Sequence, residues 1–232
     1  MAFVQGVHAI NDAAGTTISV NITATTGNTL AVQVTYQDSI TGATCADGTN
    51  TYTQLDRPTG VGFSQQTLYA KNITGGALTV TATTPSAAFR RIQVLEYSGL
   101  DAVSPLDGHV GNSSATFGTG TDACTSTNAN TTVNGDTIVG LFYDNSSATL
   151  PTNGTGFGAA RDPFTNAAGD CLQAEEKIQT TAGSVAATFT TTAGTDEIFV
   201  SMIAFKPSTA ASPPPSPSPP SRRMISYARA SW

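Results

Sequence analysis

Short runs rich in β-branched residues recur along the chain: TTISVNI, TLAVQVTY, LTVTAT, RRIQVLEYSG, TIVGLFYD, SVAATFT and EIFVSMIAF. Gly, Asn, Asp and Pro separate them, which is the punctuation expected between strands. Apolar residues alternate at Leu30, Val32 and Val34, and at Ile92 and Val94 with Tyr97 as a near neighbour. Successive strand side chains point to opposite faces, so this pattern predicts sheets with one buried and one wet face, closed as a sandwich. One stretch conflicts. AAGDCLQAEEKIQ, residues 167–179, offers an N-cap at Asp170 followed by good helix formers, and local propensity reads it as helix.

The chain also repeats itself. GNTLAVQVTY at 27 aligns with GDTIVGLFYD at 135, GGALTVTAT at 75 with AGSVAATFT at 182, and RIQVLEY at 91 with FVSMIAF at 199, at offsets of 107 or 108. TYTQLDR and GFGAARD fall between them in the same order, and QQTLYAKNIT lies over AEEKIQTT. Ordered matches at nearly constant spacing indicate an internal duplication. They also predict that residues 167–179 form a loop followed by a strand. The resulting fold class is all-β: a β-sandwich, jelly-roll-like, built from two pseudo-symmetric halves, with an extended Pro-rich C-terminal tail.

Residues 1–206 make up the sandwich, with half-repeats at about 1–107 and 108–206. Beyond AFKP the alternation stops, and seven of the twelve prolines fall between 207 and 220. Proline fixes φ and lacks a ladder donor, so residues 207–221 are expected to extend as a polyproline II linker. Residues 222–232 follow as a basic and aromatic anchor.

Charge separates in the same place. All sixteen acids and seven of the ten bases lie in residues 1–206, a net of −9, while the tail carries +3. An acidic body repels phosphate backbones, which argues against nucleic acid as a partner. No run approaches the apolar length of a membrane span, and MAFVQGVHAIND lacks the basic and apolar regions of a signal peptide, so cytoplasmic synthesis is expected. Cys45, Cys124 and Cys171 fall in no CxxC or Cys/His metal spacing, and their odd number leaves at least one without an intrachain partner.

GNTLAVQVTY, NTYTQL, LYAKNITGGALTVTAT, VLEYSGLDAVSPLDG and a closing VSMIAFKP, in that order over about residues 3–207, resemble a broad family of duplicated β-sandwich proteins. Its members occur among tailed-phage structural proteins and bacterial surface proteins. The resemblance implies a fold but no activity, and the tail lies outside its pattern.

His8 and His109 sit in no HExxH motif, and no GxSxG elbow is present. Glu175 and Glu176 are adjacent, so on a strand they face opposite ways and cannot form a glycosidase pair. Glu96 within IQVLEYSG would have a raised pKa if buried, although a strand residue facing water is the ordinary reading. Asp38, Asp47 and Asp56 lack the DxDxDG pattern of a calcium loop. The glycines of GTGFG lack the following Lys and helix of a phosphate loop. TGATCADGTN and YDNSSATLPTNGTG mix groups suited to sugar hydroxyls.

No catalytic residue, metal site or cofactor is expected. The expected function is a non-enzymatic virion structural protein, a decoration or fibre module on the virion surface. Its tail would dock to other structural proteins of the particle through Arg222, Arg223, Tyr227, Arg229 and Trp232, residue types favoured as interface anchors. The alternative is an extracellular bacterial surface or carbohydrate-binding module with a cell-surface glycan as partner; a jelly-roll polysaccharide-active enzyme comes third. Self-association as a homo-oligomer is compatible with each.

Overall fold

The structure, a computed structural model, describes residues 1–37, 41–114, 122–146, 149–166, 169–191 and 197–208. Its first eight strands are β1 (Ala2–Asn11), β2 (Gly15–Ala24), β3 (Thr29–Tyr36), β4 (Thr44–Ala46), β5 (Thr53–Gln54), β6 (Ser64–Ala70), β7 (Gly76–Ala87) and β8 (Arg90–Ser98). Ten follow: β9 (Leu106–Ser114), β10 (Asp122–Thr125), β11 (Ala129–Asn130), β12 (Asp136–Asp144), β13 (Thr152–Asn153), β14 (Arg161–Thr165), β15 (Cys171–Gln179), β16 (Ser184–Val185), β17 (Thr188–Thr191) and β18 (Ile198–Phe205). The all-β, sandwich-like architecture is the one the strand runs predict.

β1-β8-β3-β6-β5 form one five-stranded antiparallel sheet, and β9-β18-β12-β15-β14 form another. Small sheets β2-β7-β4, β10-β17-β13 and β11-β16 complete the fold. The two large sheets have corresponding strand orders. Their registers correspond too: Val32 faces Val94 and Leu68, while Gly140 faces Met202 and Glu175, each 107 or 108 residues later. Gly27 and Gly135 turn the chain into β3 and β12 at φ 89 and 87, a left-handed conformation that glycine adopts without penalty.

Three cores stack in sequence. Leu30, Val32, Val34, Leu68, Ile92 and Val94 pack against Ile18, Val20, Leu78 and Val80 of the first small sheet. Ile138, Phe142, Val200 and Met202 pack against Val185, Ala187 and Phe189 on the other side. Between them, Ala31, Tyr69, Leu95 and Tyr97 of one large sheet meet Val139, Leu141, Ile203 and Phe205 of the other. The expected wet face is therefore absent from the central strands: β3, β12 and β18 are buried along their full length. The alternation marked two buried faces of different polarity.

The middle layer explains the polar positions. Gln33, Gln65, Gln93 and Ser201 have no exposed surface. They form a one-directional chain. Ser201 Oγ donates to Gln65 Oε1 at 2.6 Å, Gln65 Nε2 to Gln33 Oε1 at 2.7 Å, and Gln33 Nε2 to Gln93 Oε1 at 2.5 Å. Gln93 Nε2 then donates to the Asp162 carbonyl at 2.7 Å. An amide can donate and accept at once, so each link leaves the next satisfied, as buried polar groups require.

Residues 171–179, where propensity and repeat disagree, are strand. β15 pairs with β12 from Asp136↔Gln179 to Asp144↔Cys171, and this ladder overrides the local helix preference.

Replacing Gln33 by Ala removes the middle link and leaves the amides of Gln65 and Gln93 without their partner. Gln33→Ala is expected to destabilise the fold by about 1–3 kcal/mol in chemical denaturation. An unchanged midpoint would show that the chain contributes nothing to stability.

Candidate functional site

The strands run between two distinct ends. β8 enters its sheet at Arg90 and leaves it at Ser98, so Phe89 and Gly99 lie at opposite ends of the molecule. At the Gly99 end, Pro207 forms a bridge with Leu100, and Ser208 N donates to Gly99 O at 2.9 Å. Lys206 N donates to Pro105 O at 2.6 Å, so the last described residues are fastened to the 99–105 turn. Arg222, Arg223, Tyr227, Arg229 and Trp232 lie outside the described residues, as does the linker after Ser208.

The Phe89 end carries an aromatic cleft of about 260 Å³, lined by Gln37, Phe63, Phe89, Asn145 and Asp170. Phe89 is 40% exposed and sits at φ 52, a conformation disfavoured for a bulky side chain, in the turn between β7 and β8. Its ring lies 6.4 Å from Phe63, which lies 6.1 Å from Tyr143. Phe63 is held by its loop: the Glu197 carboxylate accepts the amides of Val61, of Gly62 at 3.0 Å and of Phe63 at 3.0 Å. A Cβ at Gly60 would lie 2.4 Å from Glu197 Oε1, so a larger residue there would push the carboxylate away from the amides it holds.

Asp170 is 6% exposed and forms the floor. It accepts the Tyr143 hydroxyl at 3.0 Å and the Asn166 amide at 2.8 Å, and pairs with the fully buried Arg91. Arg91 also reaches Asp12 at 2.7 Å and stands 6.0 Å from the Phe89 ring. At the rim, Asn145 Oδ1 is buried and meets no donor among the described residues. The stretch YDNSSATLPTNGTG contains Asn145, and Asp170 was noted only as a possible helix N-cap; Phe63, Phe89 and Arg91 carried no functional expectation. The one legible signal was the Arg90-Arg91 pair opening an apolar strand, since a base in such a run needs a buried acid partner.

The other residues weighed from sequence serve the fold. Glu175 and Glu176 do point to opposite faces: Glu175 accepts from Gly154 N and Thr188 N, while Glu176 pairs with Arg161 at 2.5 Å. Glu96 does not face water. It is fully buried and accepts from Thr25 N, Asn28 Nδ2 and Gln5 Nε2 at 2.6–2.7 Å. Asp47 closes its own loop by accepting from Thr49 N, Asn50 N and Tyr52 Oη; Asp38 is outside the described residues. Gly154 and Gly156 of GTGFG form the turn after β13, and Gly154 has Thr188 directly against it.

The histidines lie on edge strands and bind across the stack. His8 of β1 meets Asp162 of β14 at 2.9 Å, and His109 of β9 meets Asp56, just after β5, at 2.7 Å. No His/Cys/Asp/Glu cluster able to hold a metal occurs among the described residues. The three cysteines are thiols, and burial pushes those of Cys45 and Cys171 up to about 12, which makes them poor nucleophiles. No helix among the described residues is long and apolar enough to cross a membrane. Comparison with protein-family models, curated proteins and solved structures finds no match.

Two acids hold protons well above the usual range. Burial, with the adjacent Asp107 carboxylate adding to it, pushes Asp136 up to about 7. Burial alone would also raise Asp107, but the Thr132 hydroxyl and amide, at 2.5 Å each, hold it down to about 2. Among the described residues no N–H or hydroxyl donor reaches either buried Asp136 oxygen, so a proton on Asp136 is what joins it to Asp107. Burial likewise pushes Glu175 up to about 7, against the pull of its two amide donors.

Both raised acids bind protons more tightly folded than unfolded. Their contribution is complete below about pH 4 and is lost as pH rises through about 7. Asp136→Asn retains a donor toward Asp107 and cannot ionise. Its melting temperature should fall less than the native chain's between about pH 5 and about pH 8, and at about pH 8 it should be the more stable by about 1 kcal/mol or more. Parallel pH profiles for the two proteins would exclude Asp136 as the titrating group.

Proposed function

We propose that this chain is a non-enzymatic structural protein of a virion, a decoration or fibre module held to the particle surface by its C-terminal tail. The body in this reading is a jelly-roll-like sandwich duplicated within one chain. The corresponding strand orders and the 107- or 108-residue spacing of β-sheet partners support the duplication.

The observation that carries the anchoring role is the position of Ser208, fastened to Gly99 at the end of the body opposite Phe89. A Pro-rich segment continuing from that point leaves the Phe89 end facing away from whatever the tail grips. Extended polyproline II loses little conformational freedom on docking. Arg222, Arg223 and Arg229 supply charge-assisted bonds to an acidic partner, and Tyr227 and Trp232 fill apolar pockets. A second reading, an extracellular surface or carbohydrate-binding module, is favoured by one feature, the aromatic cleft.

A chain ending at Ser208 separates body from anchor. It keeps every strand of the described residues and the Gly99 contact, so its thermal unfolding should match that of the full chain. Particles assembled with it should lack the protein when their composition is measured by mass spectrometry, whereas the full chain is incorporated. Incorporation of the shortened chain at full occupancy would move the docking surface to the sandwich and end the tail-anchor reading.

A further inference from the structure

We propose that the cleft formed by Phe63, Phe89, Gln37, Asn145 and Asp170 is a binding site for a single neutral pyranose ring, such as the terminal sugar of a glycan. The inference concerns the body alone and holds whether or not the tail is the anchor.

Three properties of the cleft select this ligand class. The first is its aromatic wall. Phe63 and Phe89 have no polar group, and Phe89 is 40% exposed in a strained turn. An aromatic held in the open at the expense of backbone strain packs poorly against its own protein, and such strain concentrates at binding sites. The apolar C–H face of a pyranose is a suitable cover for an aromatic ring.

The second is a rim of hydrogen-bonding groups. Gln37 is exposed, Asn145 Oδ1 is buried without a donor among the described residues, and Asp170 is the carboxylate beneath. The exposed Gln37 amide can both donate to and accept from ligand hydroxyls, and Asn145 lines the same rim. Few polar groups converging on an apolar wall is the usual composition of a small-molecule site.

The third is charge. Arg91, fully buried, is shared between Asp170 and Asp12, so the three groups together stay net negative, while Asp170 is nearly buried and its oxygens are held by Arg91, Tyr143 and Asn166. A quaternary ammonium seeks an open carboxylate beside aromatic faces, whereas Asp170 is nearly buried with its oxygens already engaged. An anion is disfavoured by the Asp170 carboxylate on the floor. A neutral polyhydroxylated ring remains. The volume of about 260 Å³ is enough for one such ring.

The site is also fixed before binding. Glu197 locks the loop bearing Phe63 through three backbone amides, and Tyr143 and Asn166 orient Asp170. Pre-organisation of this kind limits the ordering cost of a weak ligand.

The test uses the full chain in solution with the methyl glycosides of glucose, galactose, mannose and N-acetylglucosamine, each up to about 20 mM. Saturation-transfer NMR reports contact, and amide shift titration reports the affinity and the residues perturbed. At least one glycoside should bind with Kd of order 1 mM, about −4 kcal/mol, and shift the amides of Phe63, Phe89 and Asn145. Phe89→Ala, at an exposed position, should weaken binding about tenfold or more with unchanged thermal unfolding. Phe89→Trp should retain it, and Asn145→Ala should weaken it with the fold intact. No response to any of the four glycosides would overturn the proposal. So would binding indifferent to Phe89→Ala and Asn145→Ala, or a response to tetramethylammonium in place of the sugars.

Discussion

The molecule depends on two five-stranded sheets stacked through a buried chain of side-chain amides. Apolar contacts such as Leu95 and Leu141 supply attraction without direction, and would tolerate sliding of one sheet over the other. The amide chain does not. Ser201, Gln65, Gln33, Gln93 and the Asp162 carbonyl belong to β18, β6, β3, β8 and β14, so the hydrogen bonds bind five strands into one arrangement. A shift of either sheet by one residue would bury broken amides on both sides, a larger penalty than any apolar contact could offset. The His8–Asp162 and His109–Asp56 pairs close the same stack at its two edges.

Fixing the stack also fixes the two ends. Three contacts that build the aromatic cleft cross from the first sheet system to the second: Arg91 to Asp170, the 61–63 amides to Glu197, Phe63 to Tyr143. None of these could hold its geometry if the sheets were free to slip. The position of Ser208 against Gly99 has the same basis, since it joins the end of β18 to the end of β8. A rigid body with its chain exit at one end and a preformed cleft at the other follows from packing in the middle layer.

That layer is also where sequence reasoning went astray. The strand runs were legible because β-branched alternation survives burial on one face: TLAVQVTY is β3, TIVGLFYD lies within β12, and EIFVSMIAF contains β18. The repeat spacing correctly set β15 against the helical propensity of CLQAEEKIQ. The polar face of these alternating runs, on which Gln33 and Gln93 lie, was expected to be wet, because a glutamine that finds its partners inside the protein is indistinguishable in sequence from one that faces water. β1 and β9 were not recognised at all. They are edge strands, half-exposed on mixed sequence, and only the pairing with β8 and β18 makes them strands. The cleft was nearly invisible because Phe63, Phe89, Asn145 and Asp170 are dispersed along the chain, and no local pattern links them.

The acidic composition has its own explanation in how loops are closed. A β fold of this kind leaves backbone amides unpaired wherever a turn bends away from the ladder, and each needs an acceptor. Carboxylates supply two oxygens each. Glu197 takes the amides of 61–63, Asp107 those of Thr132 and Val133, Asp47 those of Thr49 and Asn50, Glu175 those of Gly154 and Thr188, and Asp101 those of Val103 and Ser104. Lysine and arginine have no acceptor to offer, so the same work cannot be done by bases. Asp170 differs in one respect: its oxygens are held by side chains, Tyr143, Arg91 and Asn166, and it alone among these acids lies at the base of an open aromatic cleft.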